Sequence, residues 1–156
     1  MNAIFTRRSI RKYENKAVPE DMIEQILRAG MAAPSAGNEQ PWHFIVIDNR
    51  DILIEITKFH PYSQMLKEAS HAIVVCADTS LLKFEGYWVQ DCSAAMQNML
   101  LMAQDMGLGA VWLGIYPQEE RVKALKELLS LPEHVIPFSI MSLGYPAEKK
   151  EPQDRF

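Results

Sequence analysis

Tyr87-Trp88-Val89-Gln90-Asp91-Cys92-Ser93-Ala94-Ala95-Met96-Gln97-Asn98-Met99-Leu100-Leu101-Met102-Ala103-Gln104-Asp105-Met106, followed at once by Gly107-Leu108-Gly109-Ala110-Val111-Trp112-Leu113-Gly114-Ile115, is the stretch that decides the fold. Its first part is a long helical run in which Ala94, Ala95, Met96, Met99, Leu100, Leu101, Met102, Ala103 and Met106 put apolar groups on almost every face. A helix apolar on most faces must be covered on most faces. One small domain covers one face readily, so the pattern predicts a partner subunit on the other. Gly107 is free to take the left-handed conformation that ends a helix. The apolar run from Ala110 to Ile115 then predicts a strand.

Working outward, the same alternation recurs on both sides. Val18-Pro19-Glu20-Asp21 predicts a helix start, with proline in the first turn and acidic residues at the positive end of the dipole. Ile23, Ile26, Leu27 and Met31 follow as one apolar stripe at helical spacing. Trp42-His43-Phe44-Ile45-Val46-Ile47 and Ala72-Ile73-Val74-Val75-Cys76-Ala77 predict strands, with a helix from Asp51 to Phe59 between them. Pro117 opens a helix from Gln118 to Leu129, and Val135 to Leu143 is a last strand. Interleaved helices and strands predict a layered α/β or α+β domain around one sheet.

The 156 residues suit one domain, 1–156, with 48% hydrophobic and 23% charged residues. A net charge of −4 argues against a general nucleic-acid or anionic-membrane binder. No segment reaches the roughly 20 apolar residues that span a bilayer. The N-terminus lacks the apolar run of a signal peptide. Cys76 and Cys92 have no metal-type spacing. The expectation is a cytoplasmic protein that binds a small-molecule substrate, with no nucleic acid and no membrane partner.

Against that acidic background Arg7-Arg8-Ser9-Ile10-Arg11 stands out. Clustered guanidiniums repel one another unless an anion or carboxylates neutralise them. The segment is therefore either an anion site or a solvated run partnered by Glu14, Glu20 and Asp21. Pro34-Ser35-Ala36-Gly37-Asn38-Glu39-Gln40-Pro41-Trp42 packs two side-chain amides and a hydroxyl between prolines, either as a polar binding turn or as a plain connection. Gly107-Leu108-Gly109 does not make a dinucleotide fingerprint, because the glycines follow a helix and precede a strand. The extended end Trp112-Leu113-Gly114 instead offers backbone for close approach of a flat ligand. There is no Walker-type phosphate loop, no His-Glu-x-x-His helix and no Gly-x-Ser-x-Gly elbow. His43, His60, His71 and His134 lack an obvious partner and read as packing or surface residues. An anion site and a polar loop without acid–base machinery suit a protein whose cofactor carries the reaction, and no side chain is singled out as catalytic.

Taken in order, the basic cluster, the 33–42 loop, the segment Gly107 to Gly114 and the ending Leu143-Gly144-Tyr145-Pro146 through Arg155-Phe156 resemble the nitroreductase family of FMN-dependent oxidoreductases. The resemblance covers essentially the whole chain. It implies an α+β, three-layer fold, a central mixed or antiparallel sheet flanked by helices, in an interlocked homodimer with FMN at the interface. It also implies that Arg7, Arg8, Ser9 and Arg11 hold the phosphate and ribityl chain. Pro34, Ser35, Ala36, Asn38 and Gln40 would meet the flavin, partly from the other subunit. Trp112, Leu113 and Gly114 would lie beside the isoalloxazine, and Arg155 would return to the phosphate. The implied reaction is ping-pong transfer of hydride from NADH or NADPH through FMN to a nitroaromatic or quinone. Gln153 stands where the family often has a second basic residue, which shifts phosphate binding toward the N-terminal arginines. Three other readings stay open: a non-catalytic FMN storage or sensing module, a purely structural helical dimer, and a specialised flavin enzyme such as a reductive dehalogenase, with a lid from residues 59–68 or 81–87.

Overall fold

The computed structural model describes residues 2–155. Its elements in chain order are α1 (Ala3–Thr6), α2 (Glu20–Met31), β1 (Trp42–Ile47), α3 (Arg50–Phe59), β2 (His71–Asp78), α4 (Trp88–Asp105), β3 (Gly109–Gly114), α5 (Glu119–Leu128) and β4 (Val135–Gly144). Every strand and longer helix expected from the sequence is present, with ends moved by one or two residues. The short α1, capped by the Asn2 side chain accepting from the Ile4 N–H, was not foreseen.

The four strands form one antiparallel sheet in the order β1-β2-β4-β3. Its two central strands are buried on both faces, which explains why β2 reads as an unbroken apolar run. Successive side chains along β2 alternate between two cores. Ile73, Val75 and Ala77 point toward α2 and α4, whereas Ala72, Val74 and Cys76 point toward α3 and α5. The layers are thus α3 and α5, the sheet, and α4 with α2.

Two irregularities aim the structure at one edge. Between Val75↔Ser139 and Cys76↔Pro137 the register of β4 slips by one residue, so Phe138 is extra. A bulge tolerates Pro137 in a central strand, since proline cannot donate to the ladder. It also turns Phe138 toward α4, where its ring meets Trp88 at 6.1 Å and Trp112 at 5.9 Å. The Phe138 carbonyl accepts from both the Ile115 and Tyr116 N–H groups, which carries the chain out of β3 just after Gly114.

The second irregularity is a slot. Gly109 and Gly144 face each other across β3 and β4. A methyl group on Gly109 would sit 2.7 Å from Ile10, and one on Gly144 would sit 2.9 Å from Tyr13. The two glycines therefore admit the N-terminal segment. Ser9 bridges Ala110, the Ile10 N–H donates to the Ala110 carbonyl, and the buried Tyr13 hydroxyl lies 2.8 Å from Ser142 Oγ and 2.9 Å from the Ile10 carbonyl.

The chain itself covers much of α4. One side packs on the sheet and another on α2, where Gly30 comes within 2.9 Å of Met99 Sδ if given a Cβ. What stays open or half-open on α4 mixes Gln90, Gln97 and Asp105 with the partly buried apolar Val89, Ala94, Leu101 and Met102. The chain's own α2 thus covers one of the apolar faces that the sequence marked, and a partly apolar face remains.

Gly109→Ala should push Ile10 out of its slot. A loss of about 1–3 kcal/mol is expected from such overpacking, seen as a lower urea midpoint at unchanged slope. An unchanged midpoint would show that Ile10 yields freely.

Candidate functional site

Three of the segments singled out in the sequence sit where the architecture needs no polar groups for its own sake. The basic cluster runs from the end of α1 along β3, stitched by the Ser9–Ala110 bridge and by Lys150 Nζ donating to the Ser9 carbonyl at 2.7 Å. Between α1 and the C-terminal segment lies a concavity of about 660 Å³ lined by Arg7, Arg8 and Arg155 together with Ile4, Phe5 and Gln153. Arg8 also lines an adjoining hollow with Gln104 and Gly107 at the C-terminal end of α4.

The lining of the arginine hollow carries one carboxylate, Asp154, against three guanidiniums. Among the described residues the ion pairs involve Arg28, His43, Lys58, Lys149 and Lys150, and none uses Arg7, Arg8, Arg11 or Arg155. Glu14, Glu20 and Asp21 therefore do not neutralise the cluster. Burial, then the like charges of Arg8 and Arg155, press Arg7 toward its neutral form. Arg8 Nε is buried with no partner. Three guanidiniums, one with an orphaned donor, outnumber the single carboxylate Asp154 around this hollow, an arrangement chemically suited to an anion. Arg11 differs: it is exposed and does not line the hollow, while its N–H donates to Glu148 at 2.7 Å.

The second segment is the end of β3. The Leu113 side chain is buried toward α3 and α5 and the Trp112 ring packs on Phe138, so only Gly114 offers open backbone, with nothing within 4 Å of a Cβ built there. Its carbonyl accepts from His60 Nε2 at 2.8 Å and from Arg121 at 3.0 Å. His60 Nδ1 accepts from the Tyr62 N–H at 3.2 Å, which assigns the remaining ring proton to Nε2. Burial, reinforced by the Arg121 charge, holds His60 below the usual histidine range despite the Gly114 acceptor. The histidine that the sequence marked as a packing residue thus fixes this strand end, together with Arg121. Neither was legible, because both contacts depend on turns after α3 and before α5.

The third segment is the loop after α2. Gly37, Asn38 and Gln40 all have positive φ, at 55°, 53° and 46°. Only the glycine adopts this cheaply, so the other two are held by their surroundings. The Gln40 N–H donates to Ser35 Oγ at 3.0 Å and its side chain to Asn38 Oδ1 at 2.8 Å. The Ala36 N–H donates to Asp91 Oδ1 at 2.9 Å, and Lys83 Nζ reaches the Gly37 carbonyl at 3.2 Å. Phe84 fills the space beside Gly37. Pro34 and Asn38 are exposed, and Ser35 and Ala36 are half-buried.

The arginine hollow lies at the Gln104 end of α4 and the loop at its Asp91 end, about 20 Å apart at 1.5 Å per residue. Gly114 belongs to the loop's end, since the Tyr116 ring meets Trp88 at 4.6 Å. The arrangement fits a long ligand with an anionic head at one end and a flat, hydrogen-bonding ring at the other. No group of three or more metal-ligating side chains occurs among the described residues, and no described helix is long and apolar enough to cross a membrane.

Comparison with known proteins places the fold in a family. The model of the nitroreductase family matches residues 4–73 and 58–145. A protein of Methanothermobacter thermautotrophicus, provisionally named NADH dehydrogenase/NAD(P)H nitroreductase, is 57% identical over 156 residues, covering 100% of this chain and 82% of its own length. Its counterpart in Archaeoglobus fulgidus is 54% identical, covering 100% and 92%. Among solved structures, an FMN-dependent nitroreductase of Clostridium difficile superposes with a TM-score of 0.91 at 30% identity, covering 99% of this chain and 91% of that one. A nitroreductase of Desulfovibrio desulfuricans, solved in complex with FMN, superposes at 0.86 with 34% identity over 99% and 90%. With this fold, and with these relatives matched along its whole length, the chain belongs to the nitroreductase family.

Proposed function

We propose that this chain is an FMN-dependent oxidoreductase that takes hydride from NADH or NADPH and passes electrons to a small electron-poor acceptor such as a nitroaromatic or quinone. In this reading residues 1–156 form one flavin-binding domain that works in the cytoplasm as a homodimer. One observation carries it: in a member of this family, an acidic chain concentrates Arg7, Arg8 and Arg155 around one hollow and leaves Arg8 Nε buried without a partner. A phosphomonoester supplies the missing acceptors, and bidentate guanidiniums suit it.

Each segment then has a separate task. Arg7, Arg8 and Arg155 bind the phosphate, with Ser9 on the ribityl side. Gly114 brings bare backbone against the ring, and His60 with Arg121 keeps that backbone from moving. The 34–40 loop of the same or the partner subunit presents amides and N–H groups to the polar edge of the ring. Bound flavin supplies the hydride and electron chemistry, and the protein supplies orientation and local polarity. The dimer is supported by the exposure of Ile4 (66%) and Phe5 (73%), which line the arginine hollow and need cover.

Arg8→Ala should weaken FMN binding roughly 10- to 100-fold, the value of one or two charged hydrogen bonds, measured by quenching of flavin fluorescence. The holoprotein should bleach anaerobically with NADH or NADPH and recover colour with an acceptor. Wild-type protein that binds no FMN would overturn the reading. Flavin that binds but resists both nicotinamides would leave storage or sensing instead.

His60 makes a second prediction. Its folded value lies below its unfolded one, so the unfolded chain binds more protons and stability falls as pH drops through about 6.5. His60→Gln, which can still donate to Gly114, should flatten part of that acid-side fall in thermal midpoint. The half-buried His71 shares the direction and should contribute to the remainder.

A further inference from the structure

We propose that Glu39 and Asp91 are positioning residues that hold the 35–40 loop in its ligand-facing form through one proton shared between their carboxyl groups. The proposal rests on the reading that this loop meets the flavin.

Both side chains are buried, Glu39 at 6% and Asp91 at 4% exposure. Each has one oxygen in use: Glu39 Oε2 accepts from the Lys83 N–H at 2.8 Å and the Phe84 N–H at 3.2 Å, and Asp91 Oδ1 accepts from the Ala36 N–H. The other oxygens, Glu39 Oε1 and Asp91 Oδ2, are fully screened and find no donor among the described residues. Both groups serve one turn of the loop: Asp91 Oδ1 accepts from the Ala36 N–H at 2.9 Å, and the Glu39 N–H donates to the Ala36 carbonyl at 3.0 Å, so the two carboxyl groups interact directly. Two carboxylates in such contact cannot both be ionised, whereas one proton between them satisfies both orphaned oxygens at once.

The surroundings say where that proton sits. Burial raises Asp91, the Ala36 N–H opposes this, and the hydrogen bond and charge of Glu39 raise it further. Burial also acts to raise Glu39, but the Lys83 N–H, Asp91, the Phe84 N–H and the Lys83 ammonium together hold it low. Asp91 is thus the acid and Glu39 the carboxylate that accepts from it. The loop carries no other ionisable group. Facing the pair from the 79–87 segment is Lys83, and next to it on α4 is the Cys92 thiol, itself raised by burial and by Asp91. Beyond Pro41 the His43–Asp78 pair is self-contained at 3.0 Å.

Through this one proton three segments are joined: the loop with its left-handed Gly37, Asn38 and Gln40, the Lys83–Phe84 backbone, and the first turn of α4. Losing it puts two negative charges in contact, and the loop, whose conformation is held from outside, is what gives way. The sign follows from linkage. Asp91, with its folded value raised, contributes stability present at low pH and lost as pH rises through that value. Glu39, with its folded value lowered, contributes stability lost as pH falls through it.

The test reads apoprotein first. Infrared difference spectra of wild type at neutral pH should show the C=O stretch of a protonated carboxyl that shifts in D₂O. D91N should lack it. The asparagine amide still donates to Glu39 and its oxygen still accepts from Ala36, so D91N should keep slow hydrogen exchange at the 36–40 amides and lose the alkaline fall in thermal midpoint. Because Asp91 also raises the neighbouring Cys92 thiol, the comparison is made in a C92A background, where the difference between the Asp91 and D91N proteins isolates the carboxyl. D91A should speed that exchange and, in the holoprotein, weaken FMN binding roughly tenfold or more, with D91N within a few-fold of wild type. Absence of the carboxyl band in wild type, an alkaline fall unchanged in D91N, or equal FMN affinity in wild type and D91A overturns the proposal. If wild type shows the band and the protected loop yet binds no FMN, it is the flavin reading that fails. E39Q, which can donate from the other side, keeps the test open should D91A not fold.

Discussion

Both faces of β2 and β4 must be covered, and the rest of the molecule is arranged to meet that need. Their side chains alternate between two apolar cores, so a helix layer on one face alone would leave Val74 and Ile140, or Ile73 and Met141, in water. Burying one such side chain is worth about 1.5–3 kcal/mol, far more than any surface ion pair here contributes. That difference sets the order in which the chain's features are decided. α4 goes against one face and α3 with α5 against the other, and the polar segments take the places these layers leave at the two ends of α4.

The scaffold turns into a site through backbone exceptions. The facing glycines Gly109 and Gly144 make room for Ile10 and Tyr13, and this places Arg7 and Arg8 beside the C-terminal segment. The bulge at Phe138 does the corresponding work at the other end, turning the chain away after Gly114 so that its backbone stays bare. Both devices act by removing or displacing atoms, and neither adds a reactive group. This agrees with a protein whose bound cofactor carries the chemistry.

The extent to which the sequence disclosed this depends on the range of each interaction. Element types were legible because they rest on local pattern: the short apolar runs of β1 and β2 and the stripe Ile23, Ile26, Leu27 are each contained within a few residues. The antiparallel order β1-β2-β4-β3 was not, since strand pairing is decided by packing between distant segments. The faces of α4 illustrate the same limit, because apolarity counts faces to be covered without saying that α2 covers one of them. In the site, Arg7, Arg8 and Arg155 drew attention by type, and the structure brings these three together while leaving Arg11 outside the hollow. His60, Arg121, Glu39 and Asp91 gave no signal. A histidine that donates to a carbonyl 54 residues away, or two acids that meet across 52 positions of chain, look in sequence like any solvated side chain.

The distribution of unmet polar groups ties these observations together. Among the described residues the buried side-chain atoms without a hydrogen-bond partner are Arg8 Nε, Glu39 Oε1, Asp91 Oδ2 and Ser139 Oγ. Folded proteins leave few such groups, and each asks for a cause. None of these four lies at random in the core. Arg8 faces the arginine hollow, Glu39 and Asp91 lock the polar loop, and Ser139 is the register partner of Gly114. The other buried side-chain polar atoms of the described residues have partners, as the Tyr13 hydroxyl does in Ile10 and Ser142. The defects carry opposite signs at opposite ends of α4: donors wanting an anion at one, carboxyl oxygens wanting a proton at the other. One end thus asks for an anion from outside the chain, whereas the other can be satisfied within it by a single proton, so the two ends of α4 place different demands on whatever the site holds.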